Sequence, residues 1–311
     1  MSDRIRLVVT AIDDDVPGIR TLTLAAADGR VLPDFTPGSH VVLECDGPAN
    51  AYSLTGDGTM PTTYSVSVLE VPAGAGGSRW VHGLAVGDPV IALPPRSMFA
   101  PILQGSRHVL VAGGIGITPI LSHLRSAVRW GREVELLYAY RDGRGAHLDE
   151  VKELAGDRAR FFTDRTSFAE SLAATLADQP IGAHLYTCGP AGFMDAVVET
   201  ATALGWPPSR IHLEHFGVEA LDPGEPFQAV LADGRVLDVP SGVSLLEALE
   251  GAGLDVPQLC RQGVCGECRV TVRSGVPLHR DLFLSAEAKA ANDSLMCCVS
   301  RAEGDRLEID L

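Results

Sequence analysis

Cys260, Cys265 and Cys268 follow the spacing C-x4-C-x2-C, and the pair Cys297-Cys298 stands further along the chain. That is the plant-type [2Fe–2S] spacing. Two irons need four thiolates, three from one tight loop and one from elsewhere. Gly263 and Gly266 lack a Cβ, so the loop can wrap closely and aim backbone N–H groups at the sulfurs. A zinc site is the competing reading. Zinc usually takes two C-x2-C knuckles or His ligands at matching spacing, and only one knuckle is present. Adjacent cysteines are expected to splay their side chains, yet spacing alone does not choose between Cys297 and Cys298. Cys45 and Cys188 stand apart, and Cys45 reads as a core residue.

A second feature is Gly113-Gly114-Ile115-Gly116, between the apolar run His108–Ala112 and a helix start. Thr118 fits an N-cap and Pro119 the first helical position. Backbone amides here can receive a pyrophosphate. The pattern is not G-x-G-x-x-G, so a plain tight turn competes with this reading. Thr187-Cys188-Gly189-Pro190 ends a later strand, and in a parallel sheet both loops lie at the ligand-binding edge. Asp142 follows the strand Val134–Tyr140. Its carboxylate suits a ribose hydroxyl and repels a 2′-phosphate, which favours NADH; a solvated loop charge is the bland alternative.

These residues need a scaffold, and the chain divides into three parts. Residues 1–104 read as short alternating strands separated by Pro and Gly, the pattern of an antiparallel sandwich or barrel. Residues 105–217 alternate strand and helix, the mark of a parallel α/β sheet. Residues 218–226 are polar and turn-rich, a linker. Residues 227–311 open with a hairpin around Asp233-Gly234, and Ser244 with Glu247 fits a helix capping box.

The 311 residues suit two or three domains, and 46% hydrophobic with 21% charged residues is a folding composition. Asp plus Glu number 40 against 25 Lys plus Arg, a net charge of −15. That balance argues against nucleic acid and anionic membrane as partners. Residues 219–311 hold 16 acidic and 8 basic side chains, so 8 of the 15 excess charges lie there. No apolar run suggests a signal peptide or a membrane span, and a cytoplasmic, reduced-compartment protein is expected.

Several segments occur in the order of one known family. They are Ala51-Tyr52-Ser53-Leu54, Gly76-Gly77-Ser78, Gly113 to Pro119, Cys188-Gly189-Pro190 with Phe193 and Met194, Glu214 with Phe216, His279-Arg280-Asp281, and Cys298 to Ala302. The chain resembles the phthalate dioxygenase reductase family, within the ferredoxin–NADP reductase-like superfamily. The resemblance implies a flavin barrel, an NAD domain and an α+β plant-type ferredoxin of β-grasp form on one chain. It implies flavin contacts from Asn50, Ala51, Tyr52, Ser53, Ser67, Gly76, Gly77, Ser78 and Phe216. It implies nucleotide contacts from Gly113, Gly114, Ile115, Gly116, Thr118, Pro119, Arg141, Asp142, Cys188, Gly189, Pro190, Phe193 and Met194. Ser53, Cys188 and Glu214 take positioning roles, and the alignment selects Cys298 as fourth iron ligand.

At the flavin-phosphate site Asn50, Leu69 and Ala75 stand where the family commonly has cations. Arg79 or the backbone amides around Ser78 would compensate. The resemblance implies FMN, with FAD the alternative, and NADH, with NADPH the alternative. It implies hydride transfer from NADH to flavin, then single electrons through [2Fe–2S] to a separate oxygenase. That acceptor is expected to be a Rieske-type terminal oxygenase, with a cytochrome P450 as runner-up, and the reductase a monomer. A reading of another class is an iron–sulfur redox sensor without turnover.

Overall fold

The computed structural model describes residues 4–45, 49–72, 74, 76–97, 99–216, 224–259, 261, 263, 265–281 and 283–311. Cys260, Ala75 and most of the 218–226 linker lie outside them. Two compact units form, Met1–Leu43 with Tyr52–Phe216, and Glu44–Ala51 with Gly217–Leu311. The sequence reading put residues 44–51 in its first domain. The structure groups them with the second unit, where the Ala49 N–H donates to Leu259 O at 3.1 Å.

The first unit carries an antiparallel sheet. Its strands are β1 (Ile5–Asp13), β2 (Ile19–Ala26), β3 (Ser39–Leu43), β4 (Asn50–Ser53), β5 (Thr63–Leu69) and β6 (Pro89–Ala92). They run in the order β4-β3-β6-β1-β2-β5, and the short β7 (Arg96–Ser97) pairs with β3. Alternation buries Ile5, Leu7 and Val9 of β1, and Leu22, Leu24 and Ala26 of β2. One short helix, α1 (Gly77–Gly83), follows β5.

The same unit continues into a parallel sheet. Strands β8 (His108–Gly113), β9 (Val134–Ala139), β10 (Ala159–Phe162), β11 (His184–Cys188) and β12 (Ile211–Glu214) alternate with helices α2 (Ile117–Arg129), α3 (Leu148–Ala155), α4 (Arg165–Ala177) and α5 (Ala191–Ala203). The strand order is β10-β9-β8-β11-β12. All six residues of β8 are buried, as expected for a strand covered on both faces. The order reverses between β8 and β11, which opens a crevice at their carboxyl ends.

Thr118 is not the cap of α2. Gly114–Gly116 form a 3-10 turn that runs directly into the helix, so Gly116 is already helical at φ −60° and ψ −5°. No extended residue is left to cap. The Thr118 hydroxyl donates instead to Ile115 O at 3.1 Å, and Pro119 is the third helical residue.

Polar contacts from α2 join the two sheets into one unit. His123 Nε2–H donates to Phe99 O at 2.7 Å, Arg125 donates to Thr55 O at 2.8 Å, and Arg129 pairs with Asp57 at 2.6 Å. Burial drives the His123 pKa down to about 3, so its ring is neutral, and its buried Nδ1 has no hydrogen-bond partner among the described residues.

The second unit holds a five-stranded sheet in the order β14-β13-β19-β15-β17. Its strands are β13 (Phe227–Val230), β14 (Val236–Val239), β15 (Arg269–Ser274), β17 (Ser294–Met296) and β19 (Arg306–Asp310); β16 (Pro277–Leu278) and β18 (Arg301–Ala302) form a separate pair. Two short helices, α6 (Leu245–Gly251) and α7 (Ala286–Ala291), accompany it. The predicted capping box forms: Ser244 Oγ accepts from the Glu247 N–H at 3.1 Å, and Glu247 accepts from the Ser244 N–H at 2.8 Å. Among the described residues, no helix is long and apolar enough to cross a membrane.

Candidate functional site

The crevice between β8 and β11 is built by two interlocked glycine loops. A Cβ on Gly116 would lie 2.2 Å from Cys188 O, so the two loops touch backbone to backbone. Cβ atoms on Gly113 and Gly189 would each lie 2.8 Å from the Phe193 ring. Gly114, at φ +55°, is different: a Cβ there would meet nothing within 4 Å. Its backbone faces open space at the carboxyl edge, as a dinucleotide cradle requires. Arg141 and Asp142 are exposed in the loop after β9, and Met194 is a buried residue of α5.

Register brings the thiol and the carboxylate together. Cys188 pairs with Glu214 across β11 and β12. Ser53 Oγ, from the end of β4, donates to the Glu214 carboxylate at 3.5 Å. Burial drives the Glu214 pKa up to about 8, although the Ser53 hydrogen bond pulls the other way. Burial, with Glu214 adding, pushes the Cys188 thiol well up, so it stays protonated. Three side chains from separate strands thus present protonated groups beside the crevice between β8 and β11.

The expected flavin residues are less uniform. Tyr52 and Ser53 lie on β4, and Phe216 packs partly buried after β12. Ser67 is committed within the protein, bonded to Thr21 Oγ1 at 2.8 Å and to His147 Nε2 at 2.7 Å. Asn50 donates to Cys45 Sγ at 3.9 Å. Gly76, Gly77 and Ser78 open α1, where Ser78 Oγ accepts from the Val71 N–H at 3.0 Å. A Cβ on Gly76 would lie 3.9 Å from an Arg79 guanidinium nitrogen, so this cation lies against the loop that lacks the expected ones.

In the second unit, Cys265, Cys268 and Cys298 are buried, and the sulfurs of Cys268 and Cys298 lie 3.1 Å apart. They are close enough to share one iron. The adjacent cysteines do not splay as expected. Residues 297–299 form a turn in which the Val299 and Ser300 N–H groups both reach Met296 O, at 3.2 and 2.9 Å. Contacts from the Cys297 and Cys298 thiols lower the Cys268 pKa. Among the described residues, no three His, Cys, Asp or Glu side chains form a metal-holding group; Cys260 lies outside them.

The loop itself fits a cluster. Gly263 and Gly266 have φ of +70° and +83°, and a Cβ would strike Val299 at 2.6 Å or Phe283 at 2.3 Å. The turn carrying Cys298 is braced by its neighbours. Buried Arg301 donates to Val243 O at 2.6 Å and to Pro240 O and Glu225 O at 3.0 Å. Buried Asp281 accepts from the Leu284 N–H at 2.8 Å and from Ser300 Oγ at 3.3 Å.

Comparison with known proteins agrees with this architecture. The profile of the dimethylamine monooxygenase subunit DmmA-like N-terminal domain matches residues 89–211, and that of the 2Fe-2S iron-sulfur cluster binding domain matches residues 230–303. The heme-dependent oxidative N-demethylase beta subunit of Ectopseudomonas mendocina (strain ymp) is 41% identical over 100% of both chains. Phthalate dioxygenase reductase superposes with a TM-score of 0.75 and 30% identity, over 99% of this chain and 98% of that one. The chain belongs to the phthalate dioxygenase reductase family. It is an NAD(P)H-dependent flavin and iron–sulfur oxidoreductase. An intact type IV self-sufficient cytochrome P450 monooxygenase matches with a TM-score of 0.82 and 35% identity, over 99% of this chain and 41% of that longer one.

Two residues of this reductase's crevice escaped the sequence reading. The Tyr138 hydroxyl lies 3.2 Å from both Gly114 O and Ala146 O and accepts from the Ala146 N–H at 3.0 Å, tying the glycine loop to the loop after β9. His147 reaches Ser67 on the other sheet. Neither residue sits in a local motif, so nothing in the sequence marked them.

The Glu214 environment carries a pH signature. Below about pH 4.5 the carboxyl is protonated whether the chain is folded or unfolded. As pH rises from there to about 8, the unfolded chain ionises while the folded one keeps its proton, so folded stability falls. Glu214→Gln removes that loss. Its melting temperature should gain on the wild type progressively between those pH values and level off above them. A difference independent of pH would contradict the assignment.

Proposed function

We propose that this chain is the NADH-dependent, FMN-bearing reductase component of an oxygenase system, with domains changing near residues 104 and 217. The supporting observation is the convergence of Ser53, Cys188 and Glu214 at the mouth of the interlocked glycine loops. When bound, the flavin converts the two-electron chemistry of a nicotinamide into the one-electron chemistry of a [2Fe–2S] centre. The chain's own residues do the rest. Gly113 to Gly116 and Cys188 to Pro190 receive the dinucleotide, with Phe193 and Met194 supporting the loops from below. Asp142 accepts from the adenosine ribose and selects against a 2′-phosphate. Ser53, Cys188 and Glu214 orient the reacting rings and hold protons at Oγ, Sγ and the carboxyl oxygen. Cys260, Cys265, Cys268 and Cys298 hold the cluster.

The acceptor is a separate terminal oxygenase, of Rieske type on the family resemblance. A heme-containing acceptor is the second reading, favoured by the full-length relative from a heme-dependent N-demethylase. The acidic excess in residues 219–311 suits a basic docking patch on either.

Stopped-flow reduction by NADH and NADPH, chromatography of the released flavin, and reconstituted turnover test these points together. NADH is expected to be the faster donor, FMN the flavin released, and a Rieske oxygenase the acceptor supported. Faster NADPH, released FAD, or turnover with a heme oxygenase alone would each overturn the corresponding choice.

A further inference from the structure

His147 sits in a backbone conformation that residues other than glycine seldom adopt. Its φ is +58°, in the left-handed region, immediately before α3. A side chain there is strained unless its surroundings hold it, and such outliers concentrate where function needs them. What holds His147 is its ring. Nε2 lies 2.7 Å from Ser67 Oγ, which also meets Thr21 Oγ1 at 2.8 Å. Nδ1 lies 3.6 Å from Glu150. Glu150 accepts from Arg125 Nε at 2.7 Å, and Arg125 Nη1 donates to Thr55 O at 2.8 Å and to Thr55 Oγ1 at 3.2 Å.

The chain of contacts therefore leaves the antiparallel sheet at Ser67, crosses α3 and α2, and returns to the segment after β4 at Thr55, two residues beyond Ser53. The α2 contacts to Phe99, Thr55 and Asp57 hold the two layers along one helix, and His147 adds a separate anchor from the loop before α3 to β5. His147 also ends the loop that starts at Arg141 and Asp142, whose other tie is Tyr138. Burial opposes ionisation of Glu150, but His147 and the charge of Arg125 beside it outweigh this and lower its pKa.

We propose that His147 is a positioning residue, which clamps the nucleotide loop Arg141–His147 to the antiparallel sheet at Ser67 and so sets the alignment of the two reacting rings. The inference rests on the function proposed above and adds a residue to it.

The test separates the ring from the backbone, using the full-length protein loaded with flavin. His147→Gly removes the ring and relieves the strained φ. It should melt at or above the wild-type temperature and keep its flavin. At saturating NADH its flavin should be reduced roughly tenfold more slowly, because small misplacements of reacting groups are costly. Amide hydrogen exchange in residues 141–147 should rise. His147→Asn, which tolerates the left-handed region but cannot reach Ser67, should match it. Ser67→Ala should lower the rate similarly, and the double variant should be no slower than the singles. Wild-type reduction rates in His147→Gly, a large fall in its melting temperature, or additive effects in the double variant would overturn the proposal. A wild-type protein whose flavin neither NADH nor NADPH reduces would overturn both this proposal and the function beneath it.

Discussion

Cys298→Ser should abolish the iron–sulfur absorbance and the reduced-state electron paramagnetic resonance signal, while Cys297→Ser should keep both. The Cys268 and Cys298 sulfurs lie 3.1 Å apart, which suits two thiolates on one metal. Cys298 is 7% exposed and Cys297 is 0% exposed, so Cys297 is sealed in the core while Cys298 borders accessible space beside Cys268. Oxygen is a poorer ligand to iron–sulfur clusters than thiolate, and losing one of four ligands at a shared centre leaves little to hold it. Flavin reduction by NADH should stay within about twofold of wild type in both variants, because it relies on other parts of the chain. Electron delivery to cytochrome c should fail only in Cys298→Ser. If Cys297→Ser loses the cluster and Cys298→Ser keeps it, the ligand set is wrong.

Gly116→Ala should lower NADH-driven flavin reduction by roughly a hundredfold, the scale of a one-ångström misplacement in a reacting pair. The new Cβ would sit 2.2 Å from Cys188 O, 2.4 Å from its carbonyl carbon and 2.7 Å from Gly189 N. All three are backbone atoms and cannot rotate away. The two loops must separate, and the crevice between β8 and β11 changes shape. The cluster spectrum should be untouched. Gly114→Ala acts differently: its φ of +55° makes alanine strained, by about 1 kcal/mol, and the added carbon meets no chain atom within 4 Å but enters the open side of the proposed cradle. It should lower stability and raise the NADH concentration needed for reduction, while leaving the contact between the two loops intact. A wild-type reduction rate in Gly116→Ala would remove the loops from the nucleotide site.

Both expectations start from features that were legible in the sequence, and both needed the structure to become quantitative. The glycine loop was readable because a strand, a turn and a helix lie consecutively along the chain. Its partner loop was readable because a parallel sheet must put both at one edge. Which glycine could not accept a methyl was not readable, since that depends on the approach of Cys188, 72 residues later. The Thr118 cap failed for a local reason. Its residue type was right, but Gly116 was already helical and left no extended position immediately before the helix to cap.

The sequence by itself determined the iron–sulfur loop, the rhythm of antiparallel strands followed by alternating strands and helices, and the capping box of α6. Each of these is written in residues a few positions apart, so local geometry alone enforces it. Only the tertiary structure decided that Cys297 and Cys298 turn toward the same sulfur and that Glu214 lies beside Cys188. It likewise decided that Ser53 meets a carboxylate 161 residues away, and that His147 accepts a strained backbone to reach Ser67. Strand register and helix docking fix those contacts, and both depend on the summed packing of the whole unit, which no short stretch of chain encodes.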